Sequence, residues 1–216
     1  MNLKMKTWFL SLLMSGALIA QAADTNPLYE NNFDKAEVEK VPDEFLVLDG
    51  AFAVKQDGAG RVLELPGAPL DTFGVLFGPT ETNGLAVSAR IHGTGKGRRF
   101  PTFAVGLNGV GGYRLQVSPG KKLLEIFKGD DVLASVPFTW ASESWTVLRL
   151  QSRADKDGGT RVEGKAWKQG EAEPKAWQIF HADKAGVPAG RSSVWGNPYA
   201  GTPIRYDDLT VARAGE

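Results

Sequence analysis

From residue 85 onward the chain alternates. In LAVSARIHG, Leu85, Val87, Ala89 and Ile91 fall on one side and Ser88 and Arg90 on the other. A two-residue period is that of a β-strand with one face buried. FAVGL repeats it with Phe103, Val105 and Leu107, and YRLQV with Tyr113, Leu115 and Val117. LLEIFKG, VLASVPF, WTVLRLQ and TRVEGKAW follow, most of them bounded by turn residues. KGDD at 128–131 and KDGG at 156–159 each separate two such runs, where a hairpin turn is expected. Near the end, YDDLTV places Leu209 and Val211 on one face, and strict alternation adds Asp207 to it. No stretch of the mature chain has a helical period of useful length; DKAEVEKV makes one turn at most. Short alternating strands with regular turns predict an all-β domain, a two-sheet antiparallel β-sandwich.

The first residues read differently. MNLKMKTWFLSLLMSGALIAQAAD has Lys4 and Lys6, an apolar run from Trp8 to Ala20, and the small-x-small pattern Ala20-Gln21-Ala22. This predicts a signal peptide over 1–22, a single sandwich domain over 23–216, and a periplasmic or extracellular location. The run is too short to span a bilayer comfortably. The 216 residues carry 25 basic and 25 acidic side chains, so charge gives no reason to expect nucleic acid or an anionic membrane as partner. Cysteine is absent, which removes thiol chemistry and disulfides and leaves the core to hold the domain. His92 and His181 are the two histidines, too few for a histidine-rich metal site, and no G-x-S-x-G elbow accompanies them.

Several segments together resemble a known family: NNFDKAEVEKVPDEF, GKGRRFPTFAVGLNGVGGYRLQV, LLEIFKGDDVLASVPFTWASESWTVLRLQ, VEGKAWKQGEAEPKAWQI and GNPYAGTPIRYDDLTV. They are similar to the concanavalin A-like, laminin-G-like jelly rolls of secreted bacterial proteins, whose relatives include 3-keto-disaccharide hydrolase-like domains. The resemblance implies the sandwich fold, a carbohydrate or cell-envelope polysaccharide as partner, and a structural calcium. It does not carry catalysis across. The E-x-D-x-E strand of jelly-roll glucanases, which sets nucleophile beside acid/base, has no counterpart. An enzyme of this fold, a glycoside hydrolase or lyase, would have to use scattered residues such as Glu125, Glu163, Asp208 or His181. A third class is an envelope protein that docks a partner through a sheet edge.

Three groups are the candidate sites. Asp207, at an inward position, is costly unless paired or metal-bound. A first strand running beside the last would bring Glu30, Asn31, Asn32 and Asp34 to it, so Asp34 and Asp207 are candidate calcium ligands. The alternative is a turn cap or a pair with Arg205 or Arg61. Trp167, in the strand-to-loop stretch before KQGEAEPKA, and Trp195 and Tyr199, in the Gly/Pro-rich SVWGNPYAG, are candidate sugar platforms. Plugs for the ends of the sandwich are the other reading of Trp195 and Tyr199. Trp140 and Trp145 read as core. Arg98 and Arg99 form a basic pair suited to a carboxylated or sulfated sugar, or to a solvated loop. Their neighbours HGTGKGR hold a G-x-G-x-G, but no helix follows it, so a nucleotide reading fails.

Overall fold

The computed structural model describes residues 27–67, 71–82, 84–186 and 189–215; the predicted signal segment 1–22 lies outside them. Among the described residues there are fifteen strands: β1 (Tyr29–Asn31), β2 (Leu46–Asp49), β3 (Ala53–Asp57), β4 (Gly60–Leu65), β5 (Phe73–Glu81), β6 (Leu85–Gly93), β7 (Thr102–Leu107), β8 (Tyr113–Ser118), β9 (Leu123–Lys128), β10 (Asp131–Pro137), β11 (Ser144–Ala154), β12 (Thr160–Lys168), β13 (Ile179–Asp183), β14 (Gly190–Asn197) and β15 (Ile204–Arg213). No helix occurs among the described residues, and so none there is long and apolar enough to cross a membrane.

The strands form two antiparallel sheets. One has the order β13-β12-β11-β6-β15-β4-β3, with β1 also paired to β15; the other runs β10-β9-β8-β7-β14-β5-β2. The expected sandwich is therefore present, and the expected neighbour relation of first and last strands holds, with Tyr29 opposite Val211 and Asn31 opposite Leu209. The alternation explains why. Val87, Ala89, Ile91, Leu148, Leu150, Tyr206 and Val211 of the larger sheet face Val105, Leu107, Leu115, Val117, Ile126 and Val194 of the smaller, all in one core cluster and essentially inaccessible to water. Each inner face supplies a row of large apolar side chains, whose removal from water is the main stabilising term.

Alternation did not mark the strands between residues 46 and 81. In β5, Gly74, Gly78 and Pro79 break the two-residue pattern. The hairpin turns expected at 128–131 and 156–159 are where predicted, joining β9 to β10 and β11 to β12.

One register irregularity decides the site. Along β15, Tyr206 pairs with Ile91 and Asp207 with Arg90, but the next partners are Thr210 and Ser88. Asp208 and Leu209 together oppose Ala89, which is a β-bulge. Asp208 adopts the left-handed backbone, φ 49°, a conformation Asp tolerates better than most residues. The bulge inserts one residue and inverts the phase. Tyr206 and Leu209 both point into the core, and Asp207 points out.

Candidate functional site

Asp207 is thus on the outer face of the eight-stranded sheet, not on the inner face that strict alternation gave it. It is nevertheless only 3% exposed. Its Oδ2 accepts a hydrogen bond from Arg90 Nη2 at 2.5 Å, and its Oδ1 accepts one from the Asp208 backbone N–H at 2.7 Å. Arg90 Nε stands 2.9 Å from Asp208 Oδ2, an ion pair off the line of a good hydrogen bond, and its Nη1 donates to Gln169 Oε1. The arginine that takes Asp207 is Arg90, from the neighbouring strand, and not Arg205 or Arg61. Arg205 instead binds Glu64 and Asp57, and Arg61 donates to the Ala36 carbonyl. Desolvation, reinforced by the Asp208 charge, raises the Asp207 pKa against the pull of Arg90.

These groups surround a polar hollow of about 320 Å³, lined by Asn32, Asp34, Asp57, Arg61, Arg90, Trp145, Asp207 and Asp208 among others. Asn32, Asp34 and Asp208 also border a second, larger depression under β1, of about 820 Å³. Trp145 forms one wall. It pairs with His92 across β6 and β11, and is therefore on the outer face, half-buried. The Arg90 guanidinium lies 4.6 Å from the centre of its ring, and the His92 ring 5.4 Å. Burial, then the nearby Arg205 charge, keep His92 below the ordinary imidazole pKa. The reading of Trp145 as core is corrected here. Its neighbours Thr146 and Leu148 carry the inward positions, and WTVLRLQ starts out of phase with its tryptophan.

Trp167 lies on the same outer face. It is the Cα partner of Val147, so it stands diagonally to Trp145 across β11 and β12. The Gln169 N–H donates to the Trp145 carbonyl, which fixes the start of the 169–178 loop beside it. That loop folds back over β12: Lys165 reaches the Pro174 carbonyl and Glu173, and its ammonium lies 4.5 Å from the Trp177 ring. Half-buried indoles at Trp145 and Trp167 therefore flank Val147, and Trp145 walls the polar hollow.

The remaining candidates are elsewhere. Trp195 is within β14, not in a loop, on the outer face of the seven-stranded sheet and 8% exposed. Its indole lies flat over Gly74, where a Cβ would come within 2.5 Å of the ring. Its Nε1 donates to Ser193 Oγ at 2.8 Å, and the Arg114 guanidinium sits 5.0 Å from its centre. Tyr199 is 43% exposed in the turn after β14. Arg98 and Arg99 are exposed at the tip of the hairpin between β6 and β7, closed by reciprocal backbone bonds between Lys96 and Arg99. Thr202 Oγ1 donates to the Thr94 carbonyl and ties the Tyr199 turn to that hairpin. All five carbohydrate candidates are near one end of the sandwich, but on three separate surfaces.

Asp34 and Asp207 do line one hollow. Their oxygens, however, already hold protein donors: Asn32 Nδ2 and the Arg61 N–H for Asp34, Arg90 and the Asp208 N–H for Asp207. Among the described residues no group of three or more His, Asp or Glu is arranged to hold a metal ion. With an arginine on Asp207, this donor set does not fit calcium, which needs six to eight oxygens. Of the scattered acid/base candidates, Asp208 is in the hollow. Glu125 accepts from Ser118 and Lys121 on the other sheet, Glu163 is held by Gln151, Arg153 and Arg161, and His181 is on the edge strand β13.

No family model matches the chain, and no curated protein matches it in sequence. Solved structures do. The carbohydrate-binding module CBM66 from Bacillus subtilis aligns with TM-score 0.56 at 13% identity, over 78% of this chain and 95% of that one. The Emp46p carbohydrate recognition domain, in its metal-free form, gives 0.61 at 10% identity, over 88% and 99%. The PL-14 alginate lyase from Aplysia kurodai gives 0.54 at 10% identity, over 87% and 99%. At such identities what is shared is the fold, a jelly-roll β-sandwich that hosts both binding and bond-breaking proteins.

Proposed function

We propose that this chain is an exported glycan-binding module. The observation that carries the reading is Trp145, a half-buried ring that walls a hollow of Asp, Asn and Arg side chains, with Trp167 diagonal to it on the same sheet face. Sugars bring flat C–H faces and a fringe of hydroxyls. An indole takes the face, and carboxylate and amide oxygens take the hydroxyl protons. No bond is broken in this reading. The fold likeness to a carbohydrate-binding module and a carbohydrate recognition domain supports it, and the 1–22 segment supports an exported location. The test is a glycan array on residues 23–216, repeated with Trp145→Ala. Binding to a defined glycan that falls at least about tenfold in the variant, an energy of roughly 1.4 kcal/mol, supports the reading; silence across the array overturns it.

A hydrolytic reading has one observation of its own. Asp57 on β3 and Asp207 and Asp208 on β15 line the same hollow, and burial raises the Asp207 pKa, the direction a general acid needs. Release of reducing ends from a polysaccharide panel, abolished by Asp208→Asn, would establish it.

A further inference from the structure

Beyond the outer face, a third depression opens at the end of the sandwich. It has a volume of about 290 Å³ and lies between the 138–141 stretch and the 168–178 loop. Trp140 and Trp167 both line it, with Thr139, Ser144, Glu171 and Gln178 among the polar groups. Its origin is in the strand pairing. β13 pairs with β12 only as far as Gly164, so the edge of β12 beyond that point lacks a strand partner. There the Gln178 side chain accepts from the Ala166 N–H in place of a backbone carbonyl. The loop that leaves β12 folds back over the strand, and the cleft lies between it and the 138–141 stretch.

Three facts connect this cleft to the proposed glycan site. Trp167 belongs to both, as a wall of the cleft and as an outer-face residue diagonal to Trp145. Ser144 and Thr146, which line the cleft, flank Trp145, which lines the hollow. Gln169 bridges the two: its N–H binds the Trp145 carbonyl, and its side chain accepts from Arg90. The cleft is just below the ~300–1,000 Å³ of typical small-molecule sites, room for one ring rather than a chain. Its lining pairs one acid, Glu171, with one base, Lys168, so it selects a neutral ring.

We propose that the cleft between Trp140 and Trp167 is a second subsite, which takes one neutral pyranose unit of an oligosaccharide whose neighbouring units lie over Trp145 and the hollow. This rests on the glycan-binding reading and adds that the ligand is an oligomer of at least three units. Monosaccharides occupy the hollow alone. Longer chains gain the cleft, and affinity climbs with length before it levels off.

The experiment is a length series. β-1,4-gluco-oligosaccharides, β-1,3-gluco-oligosaccharides and chitin oligomers of one to six units are titrated into residues 23–216 by calorimetry. The expected result is at least a tenfold rise in affinity between the single sugar and the trimer in one of the three series. Trp140→Ala removes that rise and leaves the single-sugar affinity unchanged. Trp140 packs against Phe103 and Gly93, so Ala172→Trp, which fills the cleft from an exposed position, is the second variant and is expected to do the same. Affinity that does not depend on length, or that both variants lower equally for one unit and for three, overturns the subsite and leaves the glycan site on Trp145 standing. Absence of binding in all three series overturns the subsite, and the glycan array alone decides the glycan-binding reading.

Discussion

Each sheet carries a tryptophan with an arginine on its outer face, and the two are treated in opposite ways. On the seven-stranded sheet Trp195 lies flat on Gly74, bonds Ser193, and is sealed beneath Arg114. Arg114 in turn is held by the Gly129 carbonyl and by Phe127, and its burial lowers its pKa. Glu125 and Ser118 on the same face are each 2% exposed. That face is closed, although among the described residues no second layer of secondary structure covers it. On the eight-stranded sheet Trp145 also carries an arginine, but Arg90 is drawn toward the carboxylates of Asp207 and Asp208. The β15 bulge turns these outward and leaves the indole beside a hollow. Composition is the same in both places. The backbone irregularity separates a closed face from one with a hollow, where the proposed glycan site lies.

The comparison breaks most sharply at Trp195. Trp195→Ala should cost about 3–5 kcal/mol, the usual range for a buried Trp→Ala change, measured as a fall in urea midpoint. Any glycan affinity of the folded fraction should be unchanged. A large affinity loss with little loss of stability would reverse the assignment of the two faces. Next comes Arg90→Leu, which strands a buried carboxylate. Breaking such a pair costs about 3 kcal/mol, and adding Asp207→Asn should recover most of it. If the double variant is no more stable than the single, Asp207 is not what Arg90 holds in place.

At the far end of the sandwich, Asp183 accepts from Lys128 Nζ at 2.6 Å, Tyr113 Oη at 2.8 Å and the Ala185 N–H at 2.9 Å. The Lys128 bond leads in lowering its pKa to about 2. The folded pKa is below the unfolded value, so its contribution is complete above about pH 4 and is lost as pH falls toward 2. Asp207 runs the other way: its raised pKa makes its ionised form a burden that grows as pH rises through the folded value. Asp183→Asn should cost about 2 kcal/mol at neutral pH and flatten the fall of Tm below pH 4. An acid limb as steep as that of the parent protein would count against the Asp183 cluster. The smallest effect is expected from metal removal. Because Arg90 occupies Asp207, EDTA should leave Tm unchanged, and a fall of several degrees would show that calcium binds after all.

Much of this is legible in the sequence. The runs at 85–93, 103–107 and 113–117 state their inward faces residue by residue, and all those inward residues are in the core. The meeting of β1 with β15, and so of Asp34 with Asp207, was anticipated as well. Three things were not. Trp195 stands in a stretch rich in Gly and Pro that reads as loop, yet Gly196 permits a strand because it lies against Tyr206. Trp145 reads as core because large aromatics usually are; its phase relative to Leu148 and Leu150 is the signal that corrects it. The face of Asp207 was lost at the bulge, where "DD" gives no hint that one residue will be skipped.

Sequence by itself determined the all-β class, the two oily inner faces and the turns between successive strands, because a two-residue period and turn chemistry are local properties of the chain. Tertiary structure alone decided which outer face stays open. That depends on a register shift against Ala89, on an arginine contributed from β6, and on a loop folded back from β12, and pairings between distant segments leave no mark on the alternation of either partner.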